Sequence, residues 1–166
     1  MNTMQTYKTY SKIWPGKVLG ELVYFLGQRH PEGIPVKEVA EKLGVTAQYV
    51  SYIFLRDDLR LSGAEKIANL YGYELHLYFP QRRFPEGIEA PEHTREYPKA
   101  GNLRGLAEYM LDSNWTPHAL AQMTGCSYHS LLHAFETGDI MISKLRHIEE
   151  SLDIQILWKF DEKQES

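Results

Sequence analysis

The chain resembles itself when it is shifted by 81 residues, and this internal repeat limits the folds that it can adopt. Residues 40–79 align with residues 121–160 without a gap, and seven of the 40 positions are identical. Unrelated segments of ordinary composition share only about two or three identities over such a length. The identical pairs are Ala40/Ala121, Gly44/Gly125, Phe54/Phe135, Asp58/Asp139, Ser62/Ser143, Ile67/Ile148 and Phe79/Phe160. The 166 residues are therefore expected to form two copies of one structural unit in tandem.

A proline-rich stretch separates the two copies. Four of the eight prolines lie between residues 80 and 98, where no helical or strand periodicity is sustained. We predict an N-terminal arm, a first unit and its strand over residues 1–79, and a linker, extended by its prolines, over 80–101. The second unit and its strand are predicted over residues 102–166.

Charge and composition narrow the class of protein. Residues 1–83 carry 11 Lys and Arg against 8 Asp and Glu, whereas residues 84–166 carry 7 against 14. The first half is therefore the better candidate for contact with a polyanion. The single cysteine, Cys126, excludes an intrachain disulfide framework and a cysteine zinc site. No apolar stretch approaches the roughly 20 residues that a membrane helix needs, so we expect a cytoplasmic protein with no membrane partner.

Each half is predicted to contain four helices. Apolar residues recur at helical spacing, and Gly44 and Gly125 stand where the second helix of each half should end. The residues expected to cap the third and fourth helices are Thr46, Ser127, Ser62 and Ser143.

A single strand is predicted to follow each set of helices. Residues 73–79 and 153–160 alternate apolar and polar side chains, which is typical of half-buried strands. A lone strand leaves hydrogen-bonding groups unpaired. We therefore expect the two strands to pair in a small antiparallel sheet within the chain, as in a pseudo-dimer, or to pair between two chains of a homodimer. The predicted fold class is mostly α.

The segment from Val36 to Leu55 has the spacing of two helices joined by a tight turn. Ala40 is small where the helices would cross closely, and Gly44 stands where the turn needs a positive φ. The expected apolar contacts between the helices come from Val39, Leu43, Val45, Val50 and Ile53. This spacing resembles the helix-turn-helix of the phage-repressor/Cro family (the XRE type), which presents its third helix to the DNA major groove. The resemblance covers about residues 17–72, and Ala121 and Gly125 repeat it in the second half.

The resemblance implies which residues would contact DNA. The positions at the start and on the outward face of the third helix are Thr46, Ala47, Gln48, Ser51 and Tyr52. Gln48 suits a bidentate contact with adenine, and Ala47 or Thr46 suits a thymine methyl group. Phosphate contacts are implied for Lys37 and Arg56. The second-half positions that would contact DNA or a partner are Ser127, Tyr128, His129, Leu132 and His133.

Two classes of function remain open. One is a sequence-specific double-stranded DNA-binding transcription regulator of the bacterial or phage type, with the first unit as the main reader. In that case the acidic second unit is the assembly or partner-binding element. The other is a protein–protein interaction module, antitoxin-like or an adaptor, because the third helix has no Lys or Arg before Arg56 and carries Tyr49, Tyr52 and Leu55.

Neither class needs catalysis. The sequence contains no phosphate-cradling glycine loop and no nucleophile motif, so we expect no enzyme, no catalytic residue and no cofactor. His129 and His133 are spaced i, i+4 on a predicted helix. We interpret them as surface histidines and expect no metal.

Overall fold

The computed structural model describes residues 18–33, 35–79, 101–112 and 116–164. The first half contains α1 (Gly20–Arg29), α2 (Val36–Leu43), α3 (Ala47–Arg56), α4 (Leu61–Leu70) and β1 (Tyr73–Tyr78). The second half contains α5 (Leu103–Asp112), α6 (Pro117–Thr124), α7 (Tyr128–Thr137), α8 (Ile142–Ser151) and β2 (Leu157–Glu162). The predicted mostly α fold with a small sheet is confirmed. The predicted N-terminal arm over residues 1–17, and the predicted linker apart from Gly101, lie outside the described residues.

The internal repeat is visible in the helix boundaries. Helices α6, α7 and α8 begin and end 81 residues after α2, α3 and α4, respectively. The shift found from seven identities therefore also relates the secondary structure of the two halves, position by position.

The two strands pair with each other in one two-stranded antiparallel sheet within the chain. The predicted apolar face of β1 is confirmed, because Leu75, Leu77 and the following Phe79 are buried while Glu74 and Tyr78 are exposed. Alternation of period two has thus buried one face of this strand.

Strand β2 begins at Leu157, four residues later than the predicted start at residue 153. The intervening backbone turns back on α8 instead. The Ile154 N–H donates to the Glu149 carbonyl over 3.1 Å, and the Ile156 N–H donates to the Glu149 carboxylate over 2.6 Å. Asp153 has a left-handed φ of 51°. These backbone donors are already engaged, so residues 153–156 do not extend the sheet.

The described residues form two compact units. Unit 1 contains α1–α4, β1 as far as Leu75, and two pieces of the second half, Met141–Ser143 and the chain from Phe160 onward. Its fully buried side chains come from all four helices; the largest are Phe54, Leu19, Leu22, Leu26, Leu61 and Ile67. The ring of Phe160 stacks on Phe25 of α1 with centroids 4.1 Å apart. The end of the last strand therefore completes the core of the first helical bundle.

The loop after α3 is tied to the starts of two helices in unit 1. The Asp57 carboxylate accepts hydrogen bonds from the N–H groups of Val18 and Leu19, just before α1. The Asp58 carboxylate accepts from the N–H of Ser143 over 3.0 Å and from its hydroxyl over 2.6 Å. Both carboxylates thus satisfy N–H groups that helix starts leave without an intrahelical partner.

The prediction that Ser62 and Ser143 cap the fourth helices is wrong. Helix α4 begins one residue before Ser62, with Arg60 at its cap position and no side-chain capping bond. Helix α8 likewise begins before Ser143, which donates to Asp58 instead of capping its own helix. By contrast, the predicted caps Thr46 and Ser127 are confirmed, since each accepts a hydrogen bond from the N–H three residues ahead.

Unit 2 contains residues His76–Ile140 and Lys144–Lys159. Its core is formed by α5–α8 and includes Leu103, Leu106, Met110, Leu120, Leu131, Phe135, Leu145 and Ile148. Phe79, after β1, packs on α5 where Gly105 leaves room. A Cβ atom at Gly105 would lie 2.6 Å from Cδ2 of Phe79, so the absence of a side chain permits this contact.

Candidate nucleic-acid interface

The turn between α2 and α3 is built by Gly44 and Thr46. Gly44 has φ 73°, a left-handed conformation that costs glycine little, and its N–H and that of Val45 bond back to carbonyls of α2. Thr46 is extended and its hydroxyl accepts from the Tyr49 N–H over 3.1 Å. The sequence thus ends one helix and starts the next within three residues.

The buried side of this helix pair differs in part from the prediction. Val39, Val50 and Ile53 are buried, as expected, together with Phe54 and Ala40. Val45, by contrast, is 38% exposed and Leu43 is half-buried, so these two residues bury less surface than the prediction implies. Phe54, in the last turn of α3, is fully buried and is the largest side chain that this helix contributes to the core of unit 1.

The predicted reading residues lie on the accessible surface of α3 and around it. Gln48, Tyr52 and Arg56 are exposed, Ala47 and Ser51 are half-buried, and Thr46 is exposed with its hydroxyl engaged in the cap. Gln48 and Tyr52 follow helical i, i+4 spacing on the side opposite Val50 and Phe54. Lys37 is exposed in the first turn of α2. The outward face of α3 is therefore available to a partner.

A groove of about 360 Å³ borders this face within unit 1. Most of its lining comes from α3, α4 and the loop between them, and Ile53, Leu59 and Ile67 are among the apolar lining residues. Arg56, Arg60 and Lys66 supply three cations to the lining, and Tyr49 and Tyr52 supply two aromatic rings. The single acidic residue of the lining, Asp58, has its oxygens engaged by Ser143 and by the Leu59 N–H.

The groove brings together two predicted contact residues and two that sequence reasoning missed. Tyr52 and Arg56 were predicted, whereas Arg60 and Lys66 belong to the start and the middle of α4. Lys37 and Gln48 are not among the lining residues. The helix-turn-helix spacing ends with α3, so it predicts nothing about α4. A single sequence shows the charge of a residue on α4, but it does not show that this residue lies beside α3.

Arg56 is positioned by its neighbour on the same helix face. Its Nη1 donates to the Tyr52 hydroxyl over 3.2 Å, and its guanidinium carbon lies 5.4 Å from the Tyr52 ring centroid. A guanidinium has five N–H donors, so this bond uses one of them. The pair therefore holds a cation in the lining of the groove, and a guanidinium with further donors suits an anionic ligand.

The corresponding surface of unit 2 has the same backbone and a different chemistry. Helix α7 contains no Lys or Arg. Ser127 caps it, while His129 and His133 are exposed and Leu132 is half-buried. Tyr128 is half-buried because its ring stacks on His118, with centroids 3.8 Å apart and an interplanar angle of 6°.

A polar residue occupies a core position of unit 2 without penalty. Thr124, which takes the place of Leu43 in the repeat, is buried. Its hydroxyl donates to the Leu120 carbonyl over 2.8 Å and accepts from the Cys126 N–H over 3.2 Å. A buried hydroxyl with both partners costs little, so the departure from an apolar residue does not weaken the turn.

One tyrosine beside α2 in unit 1 has a shifted ionisation. Burial raises the pKa of Tyr71 to about 12, and the nearby Glu38 carboxylate acts in the same direction. Lys42 forms an ion pair with Glu38 over 3.1 Å, and its ammonium lies 5.1 Å from the Tyr71 ring centroid. The phenol is therefore held in its neutral form, as part of the structure rather than as an acid or base at neutral pH.

Over the described residues, the fold is mostly α, with two pairs of helices joined by tight turns (α2–α3 and α6–α7) and a groove of unit 1 that is lined in part by cations. Within the described ranges, no three His, Cys, Asp or Glu side chains are placed to hold a metal ion. None of the helices seen over these ranges is both long and apolar enough to cross a membrane. No family model matches the chain, and neither curated proteins nor solved structures contain a similar sequence or fold at the threshold of significance.

Proposed function

We propose that unit 1 binds double-stranded DNA with sequence preference and that the protein acts in transcriptional control, without catalysis or a cofactor. The observation that carries this proposal is the cationic lining of the groove, where Arg56, Arg60 and Lys66 adjoin the exposed face of α3. Backbone phosphates are the ligands that such a row of cations suits. The resemblance of the α2–α3 spacing to the phage-repressor/Cro family supports the same proposal.

The proposed division of labour follows from the geometry of α3. Its capped N-terminus and its outward residues would enter the major groove, where Gln48 can pair with adenine and Ala47 can contact a thymine methyl group. Arg56, Arg60 and Lys66 would contact phosphates on one side of α3, and Lys37 would contact them from the start of α2. The phosphate contacts would set the position of the protein on the duplex, and the contacts of α3 with bases would supply the sequence preference.

We further propose that one chain acts as a pseudo-dimer in the cytoplasm. Strands β1 and β2 pair with each other, so strand pairing between chains is not needed to satisfy them. The proposed role of the acidic unit 2 is assembly or partner binding. Sedimentation of the free protein tests this arrangement, since a homodimer would double the mass.

A second candidate function rests on the apolar part of the same surface. Leu55 is 62% exposed, Tyr49 48% and Val45 38%, on or beside a helix with no cation before Arg56. Val45 and Tyr49 both line the groove, and exposed apolar side chains that lie together are typical of protein-binding surfaces. On this alternative, the protein is an antitoxin-like or adaptor module, and DNA does not bind.

Fluorescence anisotropy of a labelled duplex with a randomised core tests the proposal. We expect binding that weakens steeply as salt is raised from about 20 to about 200 mM at neutral pH, because phosphate neutralisation releases counterions. Lys66→Ala and Arg60→Ala should each weaken binding to all sequences and lower the salt slope by about 0.9. Gln48→Ala should change the sequences selected from the duplex library and leave the salt slope unchanged.

Lys144→Ala is the matched control, because it removes one exposed lysine from unit 2. If Lys144→Ala reduces the slope as much as Lys66→Ala, the contact is non-specific and the groove has no special part in it. Absence of binding even at the lowest salt rejects DNA as the ligand. The exposed apolar face of α3 would then be tested against protein partners.

A further inference from the structure

The groove of unit 1 combines cationic and apolar side chains in one lining. Its volume of about 360 Å³ lies in the range of about 300 to 1,000 Å³ that is typical of small-molecule sites. Three of its lining residues, Ile53, Leu59 and Ile67, are also buried in the core of unit 1. Further apolar lining comes from Leu43, Val45 and Met141. A DNA phosphate is polar on all sides, so it suits the cations of this groove and gains nothing from the apolar residues.

Along α3, the lining changes from aromatic and apolar to cationic. Tyr49, Ile53 and Arg56 all line the groove, and their helical spacing places them on one face of α3. Tyr49 is 48% exposed, and it precedes Arg56 by about 10 Å along the helix axis. The Tyr52 hydroxyl accepts from Arg56 over 3.2 Å and so helps to hold the guanidinium in place. A ligand that lies along this face meets an aromatic ring at one end and a guanidinium at the other.

The charge of the lining favours an anion. Arg56, Arg60 and Lys66 are exposed cations, and Asp58 is the one acidic lining residue in the part of the chain that the structure describes. Both oxygens of the Asp58 carboxylate accept hydrogen bonds from Ser143. The excess of cations over carboxylates therefore suits a ligand with a negative charge.

The repeat indicates that the fold does not require this set of side chains. Helices α7 and α8 have the boundaries of α3 and α4 after the shift of 81. Their counterparts of the groove residues are Thr137 for Arg56, His147 for Lys66 and Ser130 for Tyr49. Because the helices of unit 2 form without these cations and without this tyrosine, the groove side chains of unit 1 are free to serve a ligand.

We propose that the groove binds a small aromatic anion and that the bound anion displaces duplex DNA from unit 1. The ring system packs on Tyr49 and on the aliphatic lining, since aromatic pairs gain free energy beyond the burial of their area. A carboxylate or sulfonate on the rings accepts hydrogen bonds from Arg56 and Lys66. The same two cations are then lost to DNA phosphates. The displacement rests on the proposed function, whereas binding of the anion does not.

Titration with 8-anilinonaphthalene-1-sulfonate (ANS), which fluoresces in apolar surroundings, tests the anion site in the absence of DNA. We expect saturable binding and competition by 2-naphthoate. The uncharged 2-naphthalenemethanol has the same rings and should compete about fivefold less well, because it forms no ion pair. Inorganic phosphate at the same ionic strength should not compete. If phosphate competes as well as 2-naphthoate, the groove binds anions without regard to an apolar body, and the inference is wrong.

Variants locate the ANS site. Tyr49→Ser, which gives this position its unit 2 counterpart, and Lys66→Ala should each weaken ANS binding about threefold or more. Two matched controls should bind ANS as the wild type does. Tyr24→Ser removes a tyrosine of α1 that is 69% exposed, and Lys37→Ala removes an exposed lysine of α2; neither residue lines the groove. Wild-type affinity of both groove variants would overturn the inference. Circular dichroism establishes that each variant is folded.

Anisotropy of the labelled duplex at constant ionic strength, with and without 2-naphthoate, tests the displacement. At about ten times its own dissociation constant, a competitor raises the apparent Kd for the duplex about tenfold. Duplex binding that is undiminished at this concentration overturns the displacement and leaves the proposed function intact. Absence of duplex binding at every salt concentration overturns the proposed function and the displacement with it. The ANS titration decides the anion site in either case, because it contains no DNA.

Discussion

Asp57 links the end of α3 to the start of α1, and its replacement by glycine tests how this link stabilises unit 1. The residue has φ 56° and ψ 43°, a left-handed conformation that is unfavourable for a residue with a Cβ atom. Its two carboxylate oxygens accept from the N–H of Val18 over 2.9 Å and of Leu19 over 3.0 Å. Helix α1 has no other side-chain cap at its first residue. Asp57 therefore caps α1 from a distance of almost 40 residues in the chain.

The magnitude follows from two opposing effects. Each hydrogen bond to a charged group contributes about 1.5 kcal/mol or more, so the loss of both costs about 3 kcal/mol. Glycine in a left-handed conformation recovers about 1 kcal/mol. We expect Asp57→Gly to lower the free energy of unfolding by about 2 kcal/mol. For a chain of this size, this corresponds to a fall in Tm of about 4 to 8 °C.

The assay is thermal and urea unfolding followed by far-UV circular dichroism. The repeat supplies the comparison, because Gly138 occupies the corresponding position after α7 with φ 70°. Gly138→Ala adds only the left-handed strain and should cost about 1 kcal/mol. An Asp57→Gly variant that is as stable as the wild type, or more stable, would refute the reasoning. It would mean that the two hydrogen bonds stabilise unit 1 by no more than the left-handed conformation of Asp57 costs.

Two further changes test contacts described above. Because burial, and secondarily Glu38, raises the pKa of Tyr71 to about 12, the unfolded chain loses this proton at lower pH than the folded one. Stability should then fall as pH rises from about 10 towards 12, and Tyr71→Phe should lessen that fall in urea midpoints measured across this range. Gly105→Ala would place a Cβ atom 2.6 Å from Phe79, so we expect destabilisation by about 1 to 3 kcal/mol in spite of the better helix propensity of alanine, measured by the same unfolding assay. An unchanged Tm for Gly105→Ala would show that the Phe79 ring moves aside freely.

The helices were predictable because local chemistry and the repeat agree. Gly44 and Gly125 adopt the positive φ expected of them, and Thr46 and Ser127 form the expected caps. Each of these features depends on neighbours within four residues, which a sequence displays directly. The strand of the second half was placed too early because Glu149, a residue on the preceding helix, takes the backbone donors of Ile154 and Ile156. Alternation of side chains does not reveal such a competing acceptor.

The candidate site was only partly predictable, for a related reason. Tyr52 and Arg56 belong to the motif itself, and their helical spacing places them together. Arg60 and Lys66 join them only because the chain reverses at Asp57 and Asp58. At Asp57 the left-handed φ ends the helical periodicity, so spacing along the sequence no longer predicts which residues share a face. The capping prediction at Ser143 was wrong for the same reason. A serine near the start of a helix predicts a local cap, whereas the N–H of Ser143 donates to Asp58, 85 residues away in the chain.

The two units show how one backbone can carry two electrostatic surfaces. Several of the identical pairs occupy positions on which the fold depends: Gly44 and Gly125 form turns, and Phe54 and Phe135 are buried rings. Other positions differ in charge at the surface: the exposed Lys66 of unit 1 corresponds in the repeat to the exposed His147 of unit 2. Because an exposed side chain contributes little to folding, its charge is free to vary with the ligand. The repeat therefore preserves the turns and the core, whereas the surface charge of each unit is set independently of its fold.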